Sequence, residues 1–325
     1  MTNTQLQTGL RIAFVVGEFP GVPGAFILNQ VADLIDRGVL VTIFAFKHGS
    51  LENVSDRYYA YKMGDMVRTM EMPASYAQRI AVAPEKFFTL WKRSPLSALR
   101  ALNVFRHGRN ALSLKTLFWA APFADVSFDL VHCHFGPMAM KYLVIKDILG
   151  LAQKMVVTFY GYDVSQIVKQ KGAGYYARLI KEASLVLTMS ENMRGRVIAL
   201  GFPPEKVFPL PVSVDVPSYP FERREAPREG PVRLVSVGRF VEKKGFDDLL
   251  RALFELKKRT AKKFLCYIVG EGEEHDRLHA LAKELNVEDV VSWQNFMKEQ
   301  DLVRYYMDKH LYVQTSKTAP NGDME

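Results

Sequence analysis

Cysteine is scarce: the 325 residues contain two, Cys133 and Cys266. Two thiols cannot build a disulfide framework, so the fold must rest on a core of its own, and a cytoplasmic chain is expected. Long apolar runs are missing as well. None approaches the ~18 residues that a membrane-crossing helix needs, and the first, Ile12–Val16, is too short for the apolar part of a secretion signal. Two nucleotide motifs are also absent. Without G-x-G-x-x-G a nicotinamide dehydrogenase is disfavoured, and without G-x-x-x-x-G-K-[ST] so is a P-loop nucleotidase. With 48% hydrophobic and 24% charged residues, the chain is no disordered polyelectrolyte.

Charge of one sign is in excess, but only locally. The net charge is +8, from 43 Lys and Arg against 35 Asp and Glu. Residues 57–115 hold eleven basic residues against Asp65, Glu71 and Glu85, which accounts for the whole excess and leaves the remainder neutral. Aromatic residues are interleaved there and just beyond, among them Tyr58, Tyr59, Tyr61, Phe87, Phe88, Trp91, Phe105, Phe118 and Trp119. The spacing predicts two basic amphipathic helices, Pro84–Arg93 and Ser97–Arg109, with Leu99, Leu102 and Phe105 near one face of the second. Such a pair suits an anionic membrane surface, at about 1 kcal/mol per cation near the headgroups. No nucleic-acid fold signature accompanies the charge, so nucleic acid is not expected as a partner. A solvated basic face is the plainer alternative.

The rest alternates strand and helix. Arg11–Val16, Val39–Phe46, Phe128–His132, Met155–Phe159, Ser184–Met189 and Lys206–Leu210 are apolar runs without alternation, as in strands covered on both faces. Ile27, Val31, Leu34 and Ile35 share a helix face, and Arg37-Gly38 closes that helix. Prolines at 209, 211, 217, 220, 227 and 231 then mark a linker. A second series follows: strands at Val232–Val237, Phe264–Val269, Val290–Trp293 and Leu311–Gln314, helices at Gly245–Arg259, Glu273–Leu285 and Glu299–Met307. The expectation is an α/β chain of two doubly wound, Rossmann-like domains facing a cleft. These are residues 1–215, a linker at 216–231, and an incomplete second domain at 232–325, with ligands at the carboxyl ends of the strands.

Three motifs sit at such ends, and a fourth lies on a helix. In Val237–Gly245, Gly238 permits close backbone approach, a helix start offers free N–H groups, and Arg239 and Lys244 supply cations for phosphate oxygens. His132-Cys133-His134 closes a strand, and alternation places its two histidines on one side. A metal pair is disfavoured there because no acidic or histidine cluster completes the shell. A ligand-orienting histidine or a buried structural one both remain open. Tyr160-Gly161-Tyr162-Asp163 opens on the same edge, where Asp163 either meets a hydroxyl-rich ligand or caps the following helix. His275-Asp276-Arg277-Leu278-His279 looks like a zincin H-E-x-x-H with Asp for Glu, but a solvated helix face explains it better.

Taken in order, these motifs resemble glycosyltransferase family 4, the retaining GT-B enzymes that use nucleotide sugars. The branch that builds bacterial exopolysaccharides such as colanic acid is the most similar. The resemblance runs through Glu18-Phe19-Pro20, Phe26–Gln30, Asp129–Gly136, Val157–Asp163, Ser190–Arg194, Val237–Gly245, Val269–Gly272 and Asn321–Glu325. It implies that Arg239 and Lys244, with Gly238, hold a donor diphosphate, and that His134 stands by the reacting sugar. By the same resemblance Glu325 is the first Glu of E-x7-E, a catalytic-site residue that approaches the donor sugar. Gly21 and Gly24 belong to the segment over the donor, while Asp163 and Ser190 border the cleft. It further implies a nucleotide-sugar co-substrate, a polyprenyl-linked oligosaccharide acceptor, no metal and no cofactor. The protein would then work in the cytoplasm, peripheral on the inner face of the plasma membrane.

Three departures stand out. Tyr160-Gly161 replaces a common His-Gly, Ser213-Val214-Asp215 replaces Gly-Val-Asp, and the second Glu of E-x7-E would fall past residue 325. The natural protein is therefore expected to be longer. The rivals are a GT-B-shaped nucleotide-sugar epimerase and a non-catalytic carbohydrate- or membrane-binding fragment.

Overall fold

The computed structural model describes residues 9–21, 25–52, 54–213, 216, 219–223, 225 and 227–322. Backbone packing divides the chain into two compact units, Met1–Val214 and Asp215–Glu325.

The first unit begins with β1 (Arg11–Phe19), α1 (Ala25–Asp36), β2 (Leu40–His48), α2 (Asp56–Ala60) and β3 (Val67–Thr69). A helical segment follows, with α3 (Tyr76–Arg93), α4 (Pro95–Ala101), α5 (Val104–His107), α6 (Arg109–Leu112) and α7 (Lys115–Ala120). The chain then returns to the sheet through β4 (Leu130–His134), α8 (Gly136–Leu149) and β5 (Lys154–Phe159). The unit ends with α9 (Gln166–Lys171), α10 (Ala177–Glu182), β6 (Leu185–Thr188), α11 (Glu191–Ala199) and β7 (Val207–Pro209). The sheet is parallel, in the order β3-β2-β1-β4-β5-β6-β7.

Strand parity distributes the side chains. In β1, Ala13 and Val15 join one apolar cluster with α3, α4, α7 and α8, while Ile12, Phe14 and Val16 join another with Ile27, Leu28, Val31 and Ala32 of α1. Both faces are thus covered, which is why these runs show no alternation. The same parity sends Cys133 to the α8 side and His132 and His134 to the side of Phe14.

The second unit comprises β8 (Val232–Val237), α12 (Phe246–Arg259), β9 (Phe264–Val269), α13 (His275–Glu284), β10 (Val291–Gln294), α14 (Glu299–Tyr306) and β11 (Leu311–Tyr312). Its sheet is parallel in the order β10-β9-β8-β11, over a core of Leu249, Leu250, Leu253, Ile268 and Leu278.

Three expectations are corrected. The strand before Cys133 continues to His134 rather than ending at His132, because Cys133 and His134 still pair with Val157 and Thr158 of β5. The helix expected at Pro84–Arg93 starts eight residues earlier, at Tyr76, and Pro84 lies inside it. Proline removes one N–H there, and the exposed Ile80 and Pro84 leave the unpaired carbonyl to water. The helix expected at Ser97–Arg109 is instead α4, α5 and the first residue of α6: Asn103 Oδ1 accepts from Arg106 N and restarts the helix, and Gly108, at φ 54°, breaks it again. The short edge strand β3 has no signal in the sequence.

Candidate functional site

Both sheets reverse their strand order beside a strand that carries a motif. In the first unit β1 lies between β2 and β4, and in the second β8 lies between β9 and β11. Connections leave in opposite directions at such points and open a crevice at the carboxyl ends. Gly21 follows β1 and His134 closes β4. Gly238 follows β8, and the segment 313–322 follows β11. Gly24 and Glu325 lie outside the described residues.

His134 is fully buried. Its ring stacks on Phe14 at 5.0 Å and on His132 at 4.3 Å, and its Nδ1 is 2.6 Å from the Tyr160 hydroxyl. Its Nε2, equally buried, has no hydrogen-bond partner among the described residues. Burial first, then the neighbouring His132, hold its pKa well below the ordinary imidazole value, so the ring is neutral. His132 Nε2 is 2.7 Å from Thr158 Oγ1, and burial brings His132 down to about 4. Tyr160 is wedged between Phe26 and Phe135, at 4.7 and 4.6 Å. With Phe26, Thr158, Met189 and Pro211 it lines a cavity of about 280 Å³. Phe135, at φ 72°, is a strained residue between strand and helix. Its neighbour must be glycine, because a Cβ on Gly136 would come within 2.7 Å of Tyr176 and 2.8 Å of Phe159.

Asp163 stands at the expected edge, but its carboxylate faces inward. It is fully buried, with Oδ2 accepting from Gly136 N at 3.0 Å and Oδ1 from Tyr160 N at 2.9 Å. The helix it caps is α8, after β4, rather than the one following it in sequence. It thereby ties the β4 and β5 ends together. Burial raises this carboxyl to about 6, against the lowering effect of the amides of Gly136, Tyr160, Gly161 and Asp163 itself. Ser190 is exposed at the end of β6, where its hydroxyl accepts from Met193 N at 3.2 Å and caps α11.

In the second unit the loop Gly238–Gly245 is built by close backbone approach. A Cβ on Gly270, at φ 149°, would meet Gly238 O at 2.0 Å, and one on Gly272 would meet Phe240 O at 2.5 Å. Phe240 N donates to Glu271 O at 2.8 Å, and the buried Phe240 ring anchors the loop against Phe246 and Trp293. Arg239, one residue earlier, is left exposed. The Lys244 stem lies over Gly238, whose added Cβ would sit 3.3 Å from Lys244 Cδ. Gly245, in the left-handed region at φ 65°, precedes α12 without a side-chain cap, so the start of α12 offers amides to an anion, although the Asp247 carboxylate takes that of Asp248. Thr315 Oγ1 donates to Gly245 O at 2.7 Å, and Lys317 Nζ lies 2.8 Å from Asp247. The segment after β11 is thus pinned to the loop after β8.

The His275/His279 pair belongs to an aromatic cluster in which His279 stacks on Trp293. His275 lies 4.3 Å from His279, which lies 4.2 Å from Trp293. Among the described residues, no group of three or more His, Cys, Asp or Glu is arranged to hold a metal ion.

Residues 22–213 match the family described as glycosyl transferase 4-like domain, and residues 219–322 match glycosyl transferases group 1. The chain belongs to the glycosyltransferase 4-like family. Among curated relatives of this family, the putative colanic acid biosynthesis glycosyltransferase WcaL of Salmonella typhimurium is 27% identical over 322 residues. That match takes in 97% of this chain and 78% of the relative. The amylovoran biosynthesis glycosyltransferase AmsK of Erwinia amylovora is 28% identical, with the same two shares. Among solved structures, Anabaena Alr3699/HepE in complex with UDP superposes with a TM-score of 0.62 at 16% identity, covering 96% of this chain and 75% of that one. The lipopolysaccharide outer core galactosyltransferase WaaB gives 0.54 at 16%, with 94% and 74% covered. The GT-B glycosyltransferase fold expected from the motifs is the fold found, and the chain is a glycosyltransferase by family.

Of the expected site residues, the structure brings His134 and Asp163 together at the β4 and β5 ends. It also gathers Gly238, Arg239 and Lys244 in one loop. Sequence reasoning missed Tyr160 and Thr158 as partners of the histidines. Alternation along β5 was the available signal, since Thr158 and Tyr160 share a parity.

Proposed function

We propose that this protein transfers a sugar from a nucleotide-diphosphate donor to a hydroxyl of a polyprenyl-linked oligosaccharide, with retention, in cell-surface polysaccharide assembly. The observation that carries this reading is the loop Gly238–Gly245. It sets an exposed arginine, a lysine and uncapped helix amides together at the order reversal of its sheet. Arg239 and Lys244 hold the diphosphate, and Gly238 lets the backbone approach it. His134 stands beside the reacting sugar, Glu325 approaches the donor, and Gly21 and Gly24 lie over it. Ser190 borders the site with its exposed hydroxyl, whereas Asp163 borders it through the turn that it holds.

In the proposed step the bond from the anomeric carbon to the diphosphate oxygen breaks. The bond to the acceptor oxygen forms on the same face, and the acceptor proton passes to the departing diphosphate. The cationic loop neutralises the charge that grows there. No cofactor or metal is invoked. Solved relatives of this fold bound to UDP and to UDP-glucose support the nucleotide donor. The polysaccharide relatives support the acceptor class.

The helical segment Tyr76–Ala120 supports a membrane setting. It holds eight Lys and Arg against Glu85 alone. It also exposes Phe88, Trp91, Leu99, Leu112 and the whole of Phe105. Among the described residues no helix is long and apolar enough to cross a membrane, so peripheral docking at the cytoplasmic face is the reading proposed.

A screen for donor turnover with a panel of nucleotide sugars tests the proposal. Arg239→Ala should lower turnover about 10²- to 10³-fold in a protein of unchanged melting temperature. Unchanged turnover overturns the assignment.

A further inference from the structure

The cationic loop and the first turn of α12 cancel their own charge. Residues 238–248 hold Arg239, Lys243 and Lys244 against Glu242, Asp247 and Asp248. Two of these carboxylates stand in the first turn of α12, and Asp247 accepts from the amide of Asp248. The helix start attracts an anion, but two uncompensated carboxylates there would repel a diphosphate. The compensation comes from seventy residues further along the chain. Lys317 Nζ lies 2.8 Å from each carboxylate oxygen of Asp247 and 3.0 Å from Asp248 Oδ2. Partial burial works against both charges, yet their mutual hydrogen bonds hold the Lys317 ammonium above the ordinary lysine value and the Asp247 carboxyl below its own.

The ammonium is not what holds this segment in place. Lys317 N donates to Lys243 O at 2.9 Å, and Thr315 Oγ1 donates to Gly245 O at 2.7 Å. The two backbones approach so closely that a Cβ on Gly245 would collide with Thr315 O. With the backbone pinned independently, the Lys317 side chain is left to act as a charge.

We infer that Lys317 is a positioning residue for the donor, which neutralises Asp247 and Asp248 so that the start of α12 accepts a diphosphate. This role presupposes that the loop Gly238–Gly245 holds the donor diphosphate, as in the function proposed above. Removing the ammonium makes the helix start more negative; removing both carboxylates with it leaves that start neutral.

Calorimetric titration with UDP, GDP and ADP, continued with the tightest binder, tests this. Lys317→Met keeps the stem and the backbone pins. It should weaken binding about tenfold at low salt, with the loss shrinking as salt is raised. Lys317→Arg should bind within about threefold of wild type. Lys317→Met combined with Asp247→Asn and Asp248→Asn should recover wild-type affinity, because no carboxylate of that pair is left to oppose the ligand. A merely structural lysine predicts the opposite, since deleting its partners cannot restore a lost scaffold. Wild-type affinity in Lys317→Met overturns the proposal, and so does a triple variant as weak as Lys317→Met. Should Lys317→Met fail to fold, the Asp247→Asn, Asp248→Asn double variant decides: it should bind at least as tightly as wild type, and weaker binding overturns the proposal. Arg239→Ala separates the lysine from the donor reading. If Arg239→Ala binds weakly while Lys317→Met binds like wild type, the role of the lysine alone falls. If the wild type binds none of the three nucleotides, the donor reading falls and the lysine's role with it.

Discussion

Asp163 gives the sharpest test of the architecture, because a fully buried carboxylate has no reason to be tolerated unless its bonds matter. Replacement by Asn keeps the shape but turns an NH2 group toward either Gly136 N–H or Tyr160 N–H, where the native oxygens accept at 3.0 and 2.9 Å. One buried amide then loses its acceptor, at about 1–3 kcal/mol. Asp163→Asn should therefore cost about 1–3 kcal/mol, and Asp163→Ala, which orphans both amides, about 2–5 kcal/mol. In a unit of this size each kcal/mol lowers Tm by roughly 2–4 °C. The pH dependence has a definite sign. The folded carboxyl, near 6, lies above its ordinary value of 3.8, so its contribution is complete below the unfolded pKa and is lost as pH rises through 6. Acidifying from about pH 7 to pH 5 should stabilise the wild type by about 1 kcal/mol relative to Asp163→Asn. Thermal and urea unfolding of both variants at the two pH values measure this. Wild-type melting of Asp163→Ala, or an advantage over Asn that shrinks on acidification, would refute the reasoning.

Other expectations follow from single contacts. Gly270→Ala places a Cβ 2.0 Å from Gly238 O at a φ of 149°, and should cost about 3 kcal/mol or more while weakening UDP binding in calorimetry. Native melting and affinity would contradict the packing argument. Arg11 pairs with Asp129 at 2.7 Å and lowers that carboxyl to about 2, so the pair's contribution is present above the ordinary carboxylate pKa and is lost as pH falls through 2. Wild type and Asp129→Asn should converge in stability between about pH 4 and pH 2, and a gap that widens in acid would count against it. Vesicles containing anionic lipid should bind the protein, with binding reduced by salt and by Phe105→Ser or Arg109→Glu. Equal binding to neutral vesicles, or none at all, returns the segment to a solvated face.

Much of the fold was legible from periodicity. Val232–Val237 and Phe264–Val269 are strands with the expected bounds because unbroken apolar runs between glycine and polar turns admit little else. The helical segment was harder to read. Its breaks depend on Asn103 capping a short helix and on Gly108 taking a positive φ, both of which look like ordinary surface residues in an amphipathic pattern. The partnership of Tyr160 with His134 was missed for another reason. Parity along β5 sets Tyr160 on the side of Thr158, but only the neighbouring strand places a histidine nitrogen 2.6 Å from its hydroxyl.

The sequence by itself determined the class of fold, the position of the cationic excess and the loop with Arg239 and Lys244. These depend on local pattern and composition. Only the tertiary structure decided what the strand-end residues face, because that depends on register between strands far apart in the chain. Asp163 became the cap of α8, twenty-seven residues back along the chain, instead of a group open to a ligand. His134 became a neutral imidazole, since parity and burial placed it in an apolar stack against Tyr160.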